Sequence, residues 1–276
     1  MYHPDTTVRS INLHLERETP QNNPPTYGVR PISPYKFSIP PFPTCENPFN
    51  YYFMTEGAIK IAIIDEFTLF RKMLKGYLSE QKNIGIITHT SDPFELLNRL
   101  KYFPIDILLC DILISNVNII DVLKTVQVRY PEIRIIILST CTDPKVISNL
   151  LDLGIHGYIS KSDEPEELLQ AIMAVADNRI YRNKLFTEAL YYNKQYNIKP
   201  GINGLHASLN EREKKVLQLL WEEKSNKEIA DQLFLSIRSI EKIRQDMKDK
   251  LGLKSTVGLL KYGITNRIIE SVNSTV

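Results

Sequence analysis

The sequence predicts a doubly wound α/β domain followed by a smaller all-α domain. Between residues 59 and 177, five short apolar runs alternate with five amphipathic stretches, whereas the pattern from residue 209 onward is helical. Residues 59–180 carry 13 basic and 16 acidic side chains, and residues 209–270 carry 13 basic and 10 acidic ones. An acidic block followed by a basic block indicates two modules, the second of which faces an anion.

The α/β prediction rests on continuous Ile, Leu and Val runs, which are typical of parallel strands buried on both faces. The predicted strands are Ile59–Ile64, Ile84–Thr88, Ile105–Cys110, Ile133–Leu138 and Gly157–Ser160. The predicted helices are Phe67–Ser79, Pro93–Phe103, Val117–Tyr130, Pro144–Leu153 and Pro165–Asp177. Three of these helices begin at or near a proline, a residue favoured at the first helical position. Five successive strand–helix units predict a (βα)5 doubly wound domain over residues 58–180.

The segments flanking this domain have a different composition. Residues 1–57 contain eight scattered prolines within Pro20–Pro43, which disfavour both helix and sheet and predict an extended or disordered arm. Met54 is an alternative translation start, a hypothesis that the intact mass of the native protein would decide. Residues 181–208 include Tyr191-Tyr192, Pro200 and Gly201, and we interpret them as a linker whose first part could extend a helix.

The second module, residues 209–272, has helix start and stop signals at regular intervals. Asn210 and Glu213 have the spacing of a capping box, Ser225 precedes a short helix, and Gly252 ends a helix predicted from Ile237 to Leu251. That helix has a buried stripe formed by Ile240, Ile243, Met247 and Leu251. At 100° per residue, Arg238, Lys242 and Gln245 lie opposite the stripe. Such a face is typical of a solvated amphipathic helix, and it is also suited to the DNA major groove.

Composition excludes several protein classes. Cys45, Cys110 and Cys141 lack metal-ligand spacing, and we interpret Cys110 and Cys141 as small buried apolar residues in a reducing compartment. No apolar run reaches the 18 or so residues of a membrane span, and the N-terminus lacks the plan of a secretory signal. The sequence therefore predicts a cytoplasmic protein without a membrane partner.

Polar residues that carry chemistry follow the predicted strands at their carboxyl ends, where ligands bind in parallel α/β sheets. Asp65-Glu66 follow the first strand, Asp111 the third, Ser139 ends the fourth and Lys161 follows the fifth. Clustered carboxylates of this kind favour Mg²⁺, which takes one or two carboxylates together with phosphate oxygens. Asp111 is then a candidate nucleophile for a phosphoryl group, with Lys161 as its charge partner and the Ser139 hydroxyl as a donor to a phosphoryl oxygen.

Residues 59–178 resemble the receiver domain of bacterial response regulators, a flavodoxin-like fold. The resemblance places the acidic pair at Asp65 and Glu66, the phosphoacceptor at Asp111, the metal-binding carbonyl at Leu113, the switch residues at Ser139 and Tyr158, and the lysine at Lys161. It implies Mg²⁺ bound by Asp65, Glu66, Asp111 and the Leu113 carbonyl. Glu66 replaces the commoner second aspartate, and Ile114–Ile119 (ISNVNI) replaces the usual Met-Pro and Asp-Gly pairs.

The second module closely resembles the LuxR-type helix-turn-helix domain of NarL/FixJ response regulators. The motifs are LNEREKKVLQLL (209–220), SNKEIADQLFLS (225–236) and SIEKIRQDMKDKLGL (239–253). We therefore expect Arg238, Lys242 and Gln245 on the outer helix face to contact DNA, with Lys248, Lys254 and Ser255 as candidate phosphate contacts. The resemblance implies a dimer surface around Val257–Ile264. Glu241 stands where lysine is common, which implies an altered target sequence.

Together these observations predict a DNA-binding response regulator rather than an enzyme. A histidine kinase would phosphorylate Asp111, and phosphorylation would control homodimerisation and binding to promoter DNA. One alternative is a phosphorylation-independent transcription factor that uses the receiver only to dimerise. A second alternative, a small α/β enzyme or flavin binder, requires a glycine- or hydroxyl-rich phosphate loop after the first strand, where the sequence instead has the acidic IIDEFTLF.

Overall fold

Helices and strands account for most of the residues that the computed structural model describes, namely 57–115, 117–196 and 209–269. The strands are β1 (Ile59–Ile64), β2 (Ile84–Thr90), β3 (Ile107–Cys110), β4 (Arg134–Ser139) and β5 (Gly157–Ser160). The first six helices are α1 (Thr68–Ser79), α2 (Pro93–Arg99), α3 (Ile119–Arg129), α4 (Pro144–Asp152), α5 (Pro165–Ala176) and α6 (Lys184–Tyr196). The remaining helices are α7 (Glu211–Trp221), α8 (Asn226–Leu233), α9 (Ile237–Leu251) and α10 (Thr256–Thr265). Every strand and helix predicted within these ranges is present, whereas the predicted arm and the Met54 hypothesis fall on residues outside them.

Helix α2 shows the largest boundary difference, since it ends at Arg99 rather than at Phe103. The chain tightens after Arg99, and the amides of Lys101 and Tyr102 donate to the carbonyls three residues earlier. Pro104 follows and disfavours helical geometry at Phe103. The predicted helix extended too far because the apolar spacing continues through this closing turn.

The five strands form one parallel sheet in the order β2-β1-β3-β4-β5. This is the flavodoxin-like order, in which the chain first builds outward from β1 to β2 and then crosses to β3 on the other side. The change of direction opens a crevice at the carboxyl ends of β1 and β3. Ile64 at the end of β1 pairs with Cys110 at the end of β3. The residues that follow these two strands, Asp65 and Asp111, are therefore neighbours.

Two apolar layers cover the sheet, one on each face. Alternate residues of β1 enter opposite layers, with Ile61 and Ile63 on one face and Ala62 and Ile64 on the other. Helices α1 and α5 cover the first face, and helices α2, α3 and α4 cover the second. The continuous apolar runs of the sequence are thus explained by burial on both sides.

The helical module is built around its own apolar core and closed by caps. The residues of this core include Val216, Leu217, Ile229, Ile240, Met247 and Leu260. The predicted capping box is present, since the Asn210 side chain accepts from the Glu213 amide at 2.8 Å and Glu213 accepts from the Asn210 amide at 2.7 Å. Ser225 and Glu228 form a second box. Gly252 ends α9 with a φ of 66°, as predicted for a C′ glycine.

The predicted linker is helical in its first part, where α6 spans Lys184–Tyr196. This agrees with the expectation that the first part could extend a helix, and the Tyr191-Tyr192 pair lies inside it. Phe186, Ala189 and Leu190 of α6 are buried in the same apolar cluster as residues of α4. Tertiary packing against the α/β domain therefore decides the conformation of this segment, and local composition does not.

The α/β domain and the helical module are in contact through α4, α6 and α10. Val257 and Ile264 of α10 are buried in the apolar cluster that contains Leu150 of α4. The Lys261 ammonium donates to the carbonyl and hydroxyl of Ser148, at 3.1 and 3.3 Å, and forms an ion pair with Asp152. The face of α10 that the resemblance assigns to dimerisation therefore packs against the α/β domain in this arrangement.

A second contact joins the start of α6 to the end of α7. The Arg182 guanidinium lies 4.0 Å from the centroid of the Trp221 ring and pairs with Glu223 at 3.0 Å. It also donates to the main-chain carbonyl of Trp221. A stacked and ion-paired arginine restrains the rotation of the helical module more strongly than an exposed ion pair does.

His156, which precedes β5, makes folding sensitive to acid. Burial lowers the pKa of His156 to about 4, and the positive charges of Arg134 and Arg244 act in the same direction. Its Nδ1 accepts a hydrogen bond from the Ile135 amide at 3.2 Å, which requires the unprotonated ring nitrogen. The unfolded chain, with a histidine pKa of about 6.5, therefore binds a proton that the folded chain rejects between pH 6.5 and 4.

Stability should accordingly fall as the pH drops through this window. We expect His156 to account for a loss of roughly 3 kcal/mol in the free energy of unfolding between pH 7 and pH 4. Urea melts of the protein and of His156→Asn at both values measure this contribution as the difference between their pH slopes. An equal slope in the two proteins would contradict the assignment.

The described residues form ten helices, of 7 to 15 residues each. None of the helices there combines the length and apolar character needed to cross a bilayer.

Candidate functional site

Main-chain hydrogen bonds place the two aspartates at one edge of the sheet. The Asp65 amide donates to the Thr90 carbonyl at 3.1 Å, and the Asp111 amide donates to the Ile64 carbonyl at 2.9 Å. These bonds extend the strand pairing by one residue beyond β1 and β3. Both acidic residues are buried and are held rigidly where the crevice of the sheet opens.

Lys161 joins the two carboxylates. Its amide donates to the Ser139 carbonyl at 2.9 Å, which fixes the start of its side chain beside β4. The Lys161 Nζ lies 2.6 Å from the Asp111 Oδ2 and 2.7 Å from the Asp65 Oδ2. The three side chains are 8 %, 1 % and 2 % exposed, respectively. One ammonium offsets only one of two buried carboxylates, so the cluster keeps a net negative charge that attracts a further cation.

Aromatic rings and amides complete the surroundings of this cluster. The rings of Phe67 and Phe70 lie with their centroids 5.0 and 4.7 Å from the Lys161 Nζ. The second oxygens of the carboxylates are also bonded, because Asp65 accepts from the Phe67 amide at 2.8 Å and Asp111 accepts from the Leu113 amide at 3.0 Å. Each aspartate is thereby held in one orientation.

Glu66 departs from the arrangement that the sequence predicted. Its carboxylate accepts from the amide and hydroxyl of Ser115, at 2.8 and 3.0 Å, and these hydrogen bonds lower the pKa of Glu66. It therefore faces the loop after β3 instead of joining Asp65 and Asp111. Within the described ranges, no three carboxylate, histidine or cysteine side chains are grouped to hold a metal. The two aspartates alone still fit Mg²⁺, which takes one or two carboxylates and completes its shell with water.

Ser139 and Tyr158 lie behind the charged cluster. Ser139 is fully buried at the end of β4, and its hydroxyl accepts from the Cys141 amide at 3.4 Å. The Tyr158 ring is also fully buried, with its hydroxyl donating to the Cys141 carbonyl at 2.5 Å. Burial raises the pKa of Tyr158, and a hydrogen bond with Ser139 opposes that effect. The side chains of the two predicted switch residues are thus in direct contact.

The outer face of α9 presents the side chains that the sequence predicted. Arg238, Lys242 and Gln245 are exposed, while Ile240 and Met247 on the opposite face are fully buried. Gln245 donates to the Asp249 side chain at 2.8 Å, so this glutamine is engaged within the helix. The predicted DNA-facing surface is therefore accessible, and the contacts with the α/β domain involve α10 rather than this face.

The predicted phosphate contacts differ in exposure. Lys254 is exposed, whereas Lys248 is half-buried and burial lowers its pKa. Ser255 is the N-cap of α10, and its hydroxyl accepts a hydrogen bond from the Gly258 amide at 3.1 Å. A cap that is already bonded has less freedom to meet a phosphate.

Comparison with known families gives two matches on separate parts of the chain. Residues 61–173 match the response regulator receiver domain, and residues 207–262 match the luxR family of bacterial regulatory proteins. The oxygen regulatory protein NreC of Staphylococcus aureus strain MRSA252 is 27 % identical over 223 residues, covering 77 % of this chain and all of NreC. NreC of strain JH9 matches equally.

The chain is a two-component response regulator.

It joins a receiver domain to a LuxR-type DNA-binding domain, the organisation of NarL/FixJ regulators, and it regulates transcription. The families matched describe a DNA-binding regulator, not an enzyme. Among solved structures, RcsB of Salmonella typhimurium is 23 % identical with a TM-score of 0.46, covering 74 % of this chain and 98 % of that one. The response regulator ChrA is 21 % identical with a TM-score of 0.41, covering 77 % and 100 % of the two chains.

Sequence reasoning missed one buried residue of the receiver domain, Arg71. Its guanidinium donates to the Asp65 carbonyl at 2.5 Å and to the Glu66 carbonyl at 3.4 Å. These bonds tie α1 to the backbone of the acidic pair. The available signal was an arginine on the face of a predicted amphipathic helix that also carries Leu74 and Leu78, a position where a charged side chain needs a partner.

The prediction for the cysteines of the receiver domain is only half right. Cys110 is buried in β3, and burial raises the pKa of its thiol. Cys141 is only partly buried, because it follows β4 in the loop that leads to α4. Cys45 lies outside the described residues.

Proposed function

We propose that a sensor histidine kinase phosphorylates Asp111 and that this modification controls binding of the response regulator to promoter DNA. The observation that carries the proposal is the pair of buried aspartates bridged by Lys161. In the transfer, the bond between phosphorus and a kinase histidine nitrogen breaks, the nitrogen keeps its electron pair, and an Asp111 oxygen bonds to phosphorus. Lys161 then offers its charge to the new phosphoryl oxygens.

Receiver domains generally bind Mg²⁺ at this acidic pocket. Here Asp65 and Asp111 would hold the ion, with the Leu113 carbonyl as a further oxygen ligand and Glu66 beside it. When bound, Mg²⁺ stabilises negative charge on a transferring phosphoryl group. The part of the protein itself is to hold both carboxylates in fixed orientations through the amides of Phe67 and Leu113.

Ser139 and Tyr158 are the proposed route from the acceptor to the surface. A phosphoryl group adds acceptor oxygens beside Asp111, and the Ser139 hydroxyl is the donor placed to meet them. Such a movement removes the hydroxyl from its bonds with the Cys141 amide and with Tyr158. Because the Asn183 side chain donates to the Tyr158 carbonyl at 2.9 Å, a shift of β5 also reaches the start of α6.

In this proposal, phosphorylation regulates the contact between the two domains. The α10 face around Val257 and Ile264, which the family resemblance assigns to the homodimer, packs on α4 and α6. We propose that phosphorylation loosens this contact and frees α10 for dimerisation, so that two α9 helices reach paired half-sites. Arg238, Lys242 and Gln245 would then enter the major groove, and Lys248 and Lys254 would contact phosphates.

A second candidate function is a phosphorylation-independent regulator that uses its receiver domain only to dimerise. The observation in its favour is that Glu66 is bonded to Ser115 instead of standing with the two aspartates. Incubation with acetyl phosphate and Mg²⁺ separates the two functions. We expect the intact protein to gain the mass of one phosphoryl group and to bind duplex DNA more tightly. Asp111→Ala should show neither change.

Asp121→Ala is the matched control for that experiment. Asp121 is an exposed aspartate of α3 that pairs with Lys124 and accepts from the Asn118 side chain, both at the surface. Its replacement should leave both the incorporation and the DNA response intact. Equal DNA binding by phosphorylated protein, untreated protein and Asp111→Ala would favour the second candidate function.

Lys242→Ala tests α9 as the DNA reader. Lys242 is exposed on the outer face of α9, and we expect its loss to weaken DNA binding about five- to tenfold, because a major-groove or phosphate contact disappears. Fluorescence anisotropy titrations at fixed salt measure the effect. Lys214→Ala is the control, since Lys214 pairs with Glu211 at 2.8 Å on α7. Equal affinities of the two variants would remove α9 from the interface.

A further inference from the structure

We infer that Glu241 selects cytosine at one base position of each promoter half-site. The inference rests on the proposed binding of promoter DNA through α9 and names one determinant of its sequence specificity. Glu241 is the fifth residue of α9 and is exposed. The first turns of a recognition helix are the part that contacts base edges. An acidic side chain therefore stands within the surface that is expected to meet a polyanion.

Helix geometry places Glu241 on the same outer face as the basic residues. Counting from the buried Ile240, Glu241 is rotated by about 100°, Gln245 by about 140° and Arg238 by about 160°. All three side chains are exposed. Any duplex that engages Arg238 and Gln245 consequently brings a base edge or a phosphate close to the Glu241 carboxylate.

Among the described residues, no hydrogen bond or ion pair holds the Glu241 carboxylate, whereas several other polar side chains of α9 are engaged within the module. Lys250 pairs with Glu213 at 3.0 Å, and Gln245 donates to Asp249. Arg244 donates to the Asn226 and Thr256 side chains, so its own donors are engaged inside the module. Burial lowers the pKa of the Arg244 guanidinium, and the charge of Glu241 opposes that effect through space.

The chemistry of the major groove then singles out cytosine. A carboxylate is an acceptor only, and it is repelled by phosphates and by the N7 and O6 acceptors of guanine. The N6 amino group of adenine is a donor, but the N7 acceptor beside it repels a carboxylate. The N4 amino group of cytosine is a donor without an adjacent acceptor on the same base. Among the bases, only cytosine therefore offers a hydrogen bond that offsets the repulsion between the carboxylate and the duplex.

The test is a selection of bound duplexes from a randomised library, performed with the full-length protein treated with acetyl phosphate. The wild type should enrich cytosine at one position of each half-site, by about tenfold over the other bases. Glu241→Gln should shift that position to adenine, and Glu241→Lys should shift it to guanine, because those side chains match these bases. The remaining positions of the site should stay unchanged.

Asp246→Asn is the matched control, because Asp246 is also exposed on α9 but is rotated by about 140° from Glu241. It removes the same charge and should raise affinity for all sequences without changing the selected site. Thermal melts of each variant separate a structural role through Arg244 from a role in recognition.

Three results would overturn the inference. The first is a selected site that Glu241→Gln and Glu241→Lys leave unaltered, which would refute cytosine selection and leave promoter binding intact. The second is a uniform rise in affinity with Glu241→Gln, equal to that with Asp246→Asn, which would reduce Glu241 to a repulsive charge. The third is a wild-type protein that selects no sequence at all, which would refute the proposed promoter binding and this inference together.

Discussion

Replacing Lys161 with methionine is expected to lower the free energy of unfolding by about 3–5 kcal/mol in magnesium-free buffer. The Lys161 ammonium lies within 2.7 Å of both Asp65 and Asp111, and all three groups are almost fully buried. Its removal leaves two adjacent buried carboxylates without a counter-charge. Urea unfolding monitored by circular dichroism measures the loss.

Millimolar Mg²⁺ should restore part of this stability. A divalent cation that binds between the two aspartates neutralises them in the folded state only, so it shifts the folding equilibrium by mass action. We expect Mg²⁺ to stabilise Lys161→Met more than the wild type. Asp65→Asn added to Lys161→Met should also recover stability, since it removes one of the two opposing charges.

Lys184→Met is the control, because the Lys184 side chain is 88 % exposed and lies 3.9 Å from Glu188. This substitution should change the free energy of unfolding by less than about 0.5 kcal/mol, with no response to Mg²⁺. If Lys161→Met were as stable as the wild type, or if Mg²⁺ stabilised both equally, the charged cluster would not work as described.

Gly154→Ala is expected to separate the two domains and to raise DNA binding about tenfold in the absence of a phosphoryl donor. Gly154 follows α4 with a φ of 85°, and a Cβ there would stand 2.6 Å from the Cβ of Ser255, the cap of α10. No real Cβ tolerates that distance, so either α10 or the end of α4 must shift. The α10 surface would then be released without phosphorylation. Small-angle scattering and anisotropy titrations with DNA measure the two effects.

Gly57→Ala separates backbone strain from the steric clash. Gly57 has a similar φ of 92°, but a Cβ at this position has nothing within 4 Å. Both substitutions pay the strain of a left-handed alanine, about 1–2 kcal/mol, and only Gly154→Ala meets α10. Unchanged scattering and unchanged DNA affinity for Gly154→Ala, alongside the same result for Gly57→Ala, would contradict the proposed closed contact.

Lys261→Ala, which removes the ion pair with Asp152, should also separate the two domains and raise DNA binding, by a smaller amount than Gly154→Ala.

Only part of the acidic site could be predicted from local sequence patterns. Asp65, Asp111 and Lys161 could be assigned from sequence because each follows a strongly apolar strand, and parallel strands bring such positions to one edge. Glu66 could not be assigned in the same way, since its direction depends on Ser115, which lies 49 residues later in a loop. The role of Arg71 was not predicted for a related reason, because its partners are backbone carbonyls rather than side chains with a sequence signature.

The helical module shows the same division between local and distant determinants. Its caps and helix ends were predictable, because a capping box involves residues three apart and a C′ glycine involves one position. The interpretation of residues 181–208 as a linker left open whether its first part is helical, and the structure has a helix there because the buried residues Phe186, Ala189 and Leu190 pack on α4.

The sequence by itself determined the order of the strands and helices, their approximate limits, and the residues that occupy the strand ends and the outer face of α9. These features depend on periodicity and on contacts between near neighbours in the chain. Only the tertiary structure decided that Lys161 bridges both aspartates, that Glu66 faces Ser115, and that α10 packs against the receiver domain. These depend on side-chain directions and on surfaces brought together over 40 to more than 100 residues, for which no local pattern carries a signal.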